Sequence, residues 1–198
     1  KSVRIPITNF KKIQQEITIQ NRDQLVKWLI SLHYNLGISS NALHNAIYYF
    51  DLVVSTQNIP KNKIQLYGGV CLSIAAKVES FSCRFVKTIL DEYTQGFTKE
   101  DYDECEMSII CLLKYELQFP TSYQFLKRLF VTLQSPPNLV FLCLLVCESS
   151  LLSFQIHRFD PSVVAVAIYI LCSSFLNIRI PFATLKNYSH DVVVLRIK

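Results

Sequence analysis

Glycine is scarce in this chain of 198 residues, with only 4, and proline numbers 7. So few turn-formers leave little room for a strand-and-hairpin architecture, whose connections draw on Gly, Pro, Asn and Asp. Charge is also thin, at 18% of residues against 51% apolar, a balance that excludes a disordered chain. No CxxC occurs among the seven cysteines (71, 83, 105, 111, 143, 147 and 172), and no His stands at zinc-ligand spacing from a cysteine pair. Neither a metal nor a cofactor is therefore expected. An odd number of thiols without a framework points to a reducing, intracellular setting. Most of them fall in apolar runs, where a free thiol packs as a small core residue. There is no Gly-rich phosphate loop, since Gly68-Gly69 lies inside a helical pattern. Cys105 and Cys111 form no recognisable nucleophile motif with His33, His44, His157 or His190, so a catalytic role and a small-molecule substrate are not expected. No secretory signal is seen at the first residues.

The net charge of +5 is uneven: residues 1–120 carry 13 basic and 12 acidic groups, residues 121–198 carry 7 and 3. Neither part holds a run of Lys or Arg long enough to grip a phosphate backbone, which makes nucleic acid an unfavoured partner. Pro161 to Ile178 is free of charge, long enough to raise the question of a membrane span. Three serines and an asparagine interrupt it, and Asp160 and Arg179 flank it. The shorter apolar run Leu139–Cys147 runs straight into Glu148. Central helices of a globular bundle account for both better than insertion does.

What remains is a succession of helical patterns. Leu25, Trp28, Leu29 and Leu32 form one stripe at helical spacing within Arg22–Leu36, and Gly37 supplies a left-handed stop. Ser39 or Ser40 can cap a second helix with Leu43, Ile47, Phe50 and Val54 on its apolar face, broken at Asn58-Ile59-Pro60. A third, from about Lys61 to Ser80, is rich in small residues. Two adjacent glycines inside a helix cost about 1 kcal/mol each, and close approach of neighbouring helices is the reason to expect them. A short helix is predicted at Arg84–Tyr93, and Thr98 with Asp101 resembles a capping box opening a helix to about Lys114. After Phe119-Pro120 the plan recurs. Ser122–Leu133 is amphipathic, an apolar helix runs from Pro136-Pro137 to about Phe154, and Pro161–Phe175 is again rich in small residues. From first helix to small-residue helix is 42 residues in the first part (Arg22 to Ile64) and 40 in the second (Ser122 to Ser162), an internal repeat. Only Leu185–Ile197 remains for the last helices of the second module.

Four blocks resemble the cyclin family. Arg22-Asp-Gln-Leu-Val-Lys-Trp28-Leu is similar to the opening helix of the cyclin box. Leu43-His-Asn-Ala-Ile-Tyr-Tyr-Phe-Asp51 is similar to its second helix, and Lys63 to Glu79 to its third. Phe97-Thr-Lys-Glu, Glu106 and Leu117-Gln-Phe-Pro-Thr-Ser-Tyr-Gln-Phe-Leu126 resemble the fifth helix and the crossing into the second box. Order and separation are more specific than any one block: Arg22 and Asp51 lie 29 apart, and so do Lys77 and Glu106, as in the family. The resemblance implies an all-α chain of two tandem cyclin-fold bundles of about five helices each, the second shortened. Residues 1–20 would be an N-terminal extension, 21–119 the box and 120–198 the C-terminal cyclin fold.

The same resemblance implies roles. Arg22 and Asp51 would form a buried structural salt bridge. Lys77 and Glu106 would bind the backbone of a cyclin-dependent protein kinase, with Ile74, Val78, Ile110 and Leu117 as an apolar pocket for its regulatory helix. The residues themselves leave open an intramolecular Lys77–Glu106 pair and a plain core role for the four apolar groups. A heterodimer active in cell-cycle control, in nucleus or cytoplasm, is the implied setting. The alternatives are a transcription-type cyclin and a cyclin-fold scaffold on DNA or the transcription machinery. The sequence also departs from the family. The docking groove for kinase substrates and inhibitors keeps Leu25, Trp28 and Gln65, but Asn21 and Gln24 replace apolar residues, so arginine-x-leucine motifs should dock weakly. Leu52 stands where Arg is usual, and Ser80–Arg84 is shorter than in relatives.

Overall fold

The computed structural model describes residues 10–79 and 96–180, all helix, turn or extended connection with no strand among them. The chain divides into two compact units, Lys1–Phe119 and Pro120–Lys198.

In the first unit, α1 (Phe10–Ile13) is followed by α2 (Ile19–Leu36), α3 (Ser40–Thr56), α4 (Ile64–Glu79) and α5 (Lys99–Leu112). Helix α2 begins three residues before the expected Arg22. Thr18 Oγ1 accepts from Asn21 N at 3.2 Å while Asn21 Oδ1 accepts from Thr18 N at 3.0 Å. This is a reciprocal capping box with Asn in place of the usual Glu or Gln, a substitution that hides it from a motif search. Gly37 ends α2 with φ 63°, and its N–H and that of Ile38 return to Tyr34 O and His33 O. That crossed pair of bonds closes a helix when its stop residue is left-handed. Ser39 caps α3 by accepting from Ala42 N. Helix α3 is buried from Ala42 to Ser55 apart from Tyr48, as expected of a helix packed against α1, α2, α4 and α5. Its predicted apolar face, Leu43, Ile47, Phe50 and Val54, lies wholly in the core.

Helix α4 is entered through one tight turn, Lys61–Lys63, and packs against α2, α3 and α5. Gly68 is explained by α2. A Cβ on Gly68 would sit 2.8 Å from Leu25 Cδ1, closer than carbon atoms normally approach, so the Leu25 side chain packs straight onto the α4 backbone there. The capping box at Thr98 and Asp101 forms as expected and opens α5. The helix predicted at Arg84–Tyr93 and the segment Leu185–Ile197 lie outside the described residues.

In the second unit, α6 (Ser122–Thr132), α7 (Pro137–Ser150) and α8 (Pro161–Phe175) pack pairwise around Leu126, Leu129, Leu139, Cys143, Cys147 and the buried face of α8. Helix α7 stops four residues short of the expected Phe154. Ser149 and Ser150 donate to Leu145 O and Cys147 O, and such back-bonding competes with the helical ladder. Neither apolar helix is enclosed on every side. Phe141 is 72% and Phe175 76% exposed, with Leu145 and Leu171 open beside them in sequence register. Burial all round, expected from composition, is corrected to burial of one face. No helix among the described residues is long and apolar enough to cross a membrane.

Candidate functional site

Arg22 and Asp51 meet at the centre of the first unit with no exposed surface on either side chain. Arg22 Nε donates to Asp51 Oδ1 at 3.0 Å and Nη2 to Oδ2 at 2.7 Å, a two-pronged contact in which a planar guanidinium satisfies both carboxylate oxygens. Burial opposes the charge on Arg22. The facing carboxylate, by charge and hydrogen bonding, outweighs it and holds the guanidinium pKa above its ordinary value. The bond joins α2 to α3 across 29 residues. A bridge this deep is weak grounds for net stability, but it fixes how the two helices meet.

The second pair lies at the surface. Lys77 Nζ stands 2.5 Å from Glu106 Oε1, with the lysine side chain 37% and the glutamate 19% exposed. Lys77 occupies the last turn of α4 and Glu106 the middle of α5, and the two helices pack side by side. Lys77 also faces the ring of Tyr102, 6.0 Å from its centroid. Helical spacing sets Ile74 beside both Lys77 and Val78 on α4, and Ile110 one turn beyond Glu106 on α5. Ile74 is buried at the base, while Val78, Ile110 and Leu117 are half-buried. The structure thus brings Lys77 and Glu106 together on two packed helices that also carry the partly exposed apolar residues Val78 and Ile110. A half-exposed pair of this kind contributes about 0–1 kcal/mol, so it can be rearranged at little cost. Lys77 can only donate hydrogen bonds and an ionised Glu106 only accept them, which suits a partner presenting both a free carbonyl and a free N–H.

Three features flank this surface that sequence reasoning missed. The Glu79 carboxylate, two residues beyond Lys77, accepts from Ser39 Oγ and Asn41 Nδ2 at the start of α3. The hydroxyl of buried Tyr49 donates to the carbonyl of Leu117 at 2.5 Å; burial raises its pKa and keeps the proton in place. Phe119 lies against Tyr48, with ring centroids 4.6 Å apart. No spacing rule in the sequence joins residues 68 apart; Leu43–Asp51 gave only a helix with tyrosines on it.

The residues matched to a docking groove are scattered in exposure. Asn21 is engaged in the α2 cap, Gln24 and Gln65 face solvent, Trp28 is half-buried, and Leu25 is buried under Gly68. Of the described cysteines, Cys111 alone is exposed. Burial pushes the thiols of Cys105 and Cys147 up to about 12, which leaves them protonated and inert.

The family description "Cyclin, N-terminal domain" matches residues 2–118 and "Cyclin, C-terminal domain" matches residues 120–192. The chain belongs to the cyclin family. It is 30% identical over 162 residues to Cyclin-B1-3 of Oryza sativa subsp. japonica, covering 82% of this chain and 34% of that protein. To the G2/mitotic-specific cyclin-2 of Medicago sativa it is 28% identical over 154 residues, 78% of this chain and 47% of the relative. The chain therefore spans less than half the length of these curated relatives. Among solved structures, the viral cyclin from Herpesvirus saimiri superposes with a TM-score of 0.80 at 19% identity, covering 94% of this chain and 84% of the other. The two tandem helical domains are the cyclin fold.

Proposed function

We propose that this cyclin is a non-catalytic regulatory subunit that binds and activates a cyclin-dependent serine/threonine kinase in the control of the cell cycle. The Lys77–Glu106 pair carries this reading: one donor and one acceptor, at the edge of an apolar surface built from Ile74, Val78, Ile110 and Leu117. The similarity to B-type and mitotic cyclins supports the cell-cycle setting.

A protein kinase is active when a Glu on its regulatory helix pairs with the ATP-binding Lys. A rigid apolar notch that holds that helix in its active placement better than in its displaced one shifts the balance, and differential affinity is all that is needed. Moving a kinase from 1:99 to 99:1 takes about 5.5 kcal/mol. A large interface with a few buried anchors supplies that order of energy. Lys77 and Glu106 would exchange their mutual contact for backbone groups of the kinase, while the four apolar residues take up its side chains.

The test is Lys77→Ala with Glu106→Ala in the full chain, assayed for activation of a purified mitotic-type cyclin-dependent kinase and for helical circular dichroism. Loss of at least tenfold in activation with the helical signal intact is expected. Full activation by the double variant would sink the reading.

A further inference from the structure

We infer that Tyr49 is a positioning residue for the partner-binding notch: its hydroxyl, reaching out of the core, holds the Leu117 carbonyl and so fixes where the Leu117 side chain stands. This rests on the kinase-binding reading above.

The path of the chain shows why such a tether is needed. Helix α5 ends at Leu112, and the next residues must carry the chain back toward α3 and α4. The reversal is made at Lys114 and Tyr115, with φ 52° and 62°. Two successive side-chain-bearing residues thus sit in the left-handed region, which glycine alone visits freely. Tyr115 N–H returns to Ile110 O, Lys114 N–H to Cys111 O and Glu116 N–H to Leu113 O. These bonds secure the turn as far as Glu116. Leu117 comes immediately after, outside any helix or turn.

Helix α3 supplies the anchorage. Tyr49 is fully buried, and its hydroxyl donates to Leu117 O at 2.5 Å, across 68 residues of sequence. Two residues on, Phe119 meets the ring of Tyr48 at 4.6 Å and the edge of Tyr49 at 6.0 Å. The carbonyl and the aromatic ring on either side of Gln118 are therefore both fixed to one helix. That helix is itself pinned to α2 through Asp51 and packs along α4. Leu117, half-buried, is the one notch residue carried outside a helix. Without the tether its side chain would have to be ordered when the partner arrives, and ordering at the moment of binding is subtracted from affinity.

Tyr49→Phe removes one oxygen and keeps the ring. In the free chain, amide hydrogen exchange at residues 115–119 should quicken at least tenfold, with α2, α3 and α4 changed by less than threefold. Affinity for the same purified mitotic-type kinase should weaken about fivefold. In a Leu117→Ala background the same substitution should change affinity by less than twofold, because the group it positions is gone. Unchanged exchange at 115–119, or equal weakening in both backgrounds, overturns the inference: the first denies the tether, the second makes Tyr49 a general packing residue. Wild-type affinity of Tyr49→Phe beside a weakened Leu117→Ala removes the inference alone. Kinase affinity indifferent to Leu117→Ala, Lys77→Ala and Glu106→Ala removes the underlying reading, and this inference with it.

Discussion

The two units share one plan, an amphipathic helix, an apolar helix and a small-residue helix at similar spacing, yet only the first buries charged side chains among its described residues. In the first unit a guanidinium and a carboxylate lie at zero exposure in the centre, and a second pair, Lys77–Glu106, lies partly exposed between α4 and α5. In the second, Pro161 to Ile178 carries no charge at all, and the core is Leu, Val, Ile, Ala, Cys and one Tyr whose hydroxyl meets Ser135 Oγ at 2.8 Å. Apolar patterning suffices to build the bundle. The buried pair of the first unit must then serve something else, a fixed register between α2 and α3.

The largest effect should come from breaking that register. Asp51→Asn leaves the buried guanidinium facing an amide, with the partly exposed Asp23 carboxylate at 3.4 Å as a weaker partner, and breaking a buried ion pair commonly costs about 3–5 kcal/mol. Denaturant unfolding combined with hydrogen exchange should show the loss in α2–α4. Replacing Arg22 and Asp51 together by Met and Leu should recover most of it. If Asp51→Asn costs under about 1 kcal/mol, the pair is not isolated from water and the contrast between the units disappears.

The same contrast decides how far the sequence could be read. Arg22–Asp51 and Lys77–Glu106 were legible as pairs through their spacing, a property of the linear chain set against a family pattern. Helix faces were legible through periodicity, because burial of one side is written every three to four residues. Features that escaped depend on contacts between distant residues or on backbone angles. Tyr49 looked like any aromatic on a helix until the Leu117 carbonyl lay over it. Asn21 looked like a spoiled groove residue, and its amide is engaged in capping α2. The apolar faces bearing Phe141 and Phe175 read as interior because hydropathy reports what a residue prefers and not what surrounds it.

A middle-sized effect tests the small-residue helices. At Gly68 an added methyl meets the Leu25 side chain, which is itself buried and must shift to make room. Gly68→Ala should gain about 1 kcal/mol of helix propensity and lose more to overpacking, which typically costs about 1–3 kcal/mol. The net is a destabilisation of about 1 kcal/mol by thermal unfolding, removed when Leu25 is shortened to Val. In α8 the fully buried small residues are Ala165 and Ser173, with no glycine. A stabilised Gly68→Ala would mean that α2 and α4 are not in close contact and that the two small-residue helices differ only in composition.

The smallest effect concerns the scarcity of glycine itself. Helices α2, α5, α6 and α8 all end with the same crossed bonds, one to the carbonyl three residues back and one to the carbonyl five back. The left-handed stop is Gly37 in the first, but Lys114, Gln134 and Asn177 in the others, at φ 52°, 46° and 54°. A left-handed L-residue costs about 1–2 kcal/mol, and asparagine tolerates the conformation better than lysine or glutamine. Glycine removes that strain but loses about 0.5–1 kcal/mol of chain entropy on folding. Lys114→Gly and Gln134→Gly should therefore each stabilise by about 0.5 kcal/mol, and Asn177→Gly by less, in denaturant titrations precise enough to rank them. Lys114 and Gln134 differ in the segment each turn leads into. The turn at Lys114 leads through Tyr115 to Leu117, whose carbonyl is held by Tyr49, whereas the turn at Gln134 leads to Pro136 and α7. Glycine at 114 should thus loosen residues 115–119 in hydrogen exchange while raising stability, and glycine at 134 should raise stability with no such local change. Matching exchange profiles for the two variants would show that the strained stop in the first unit does no more than end a helix.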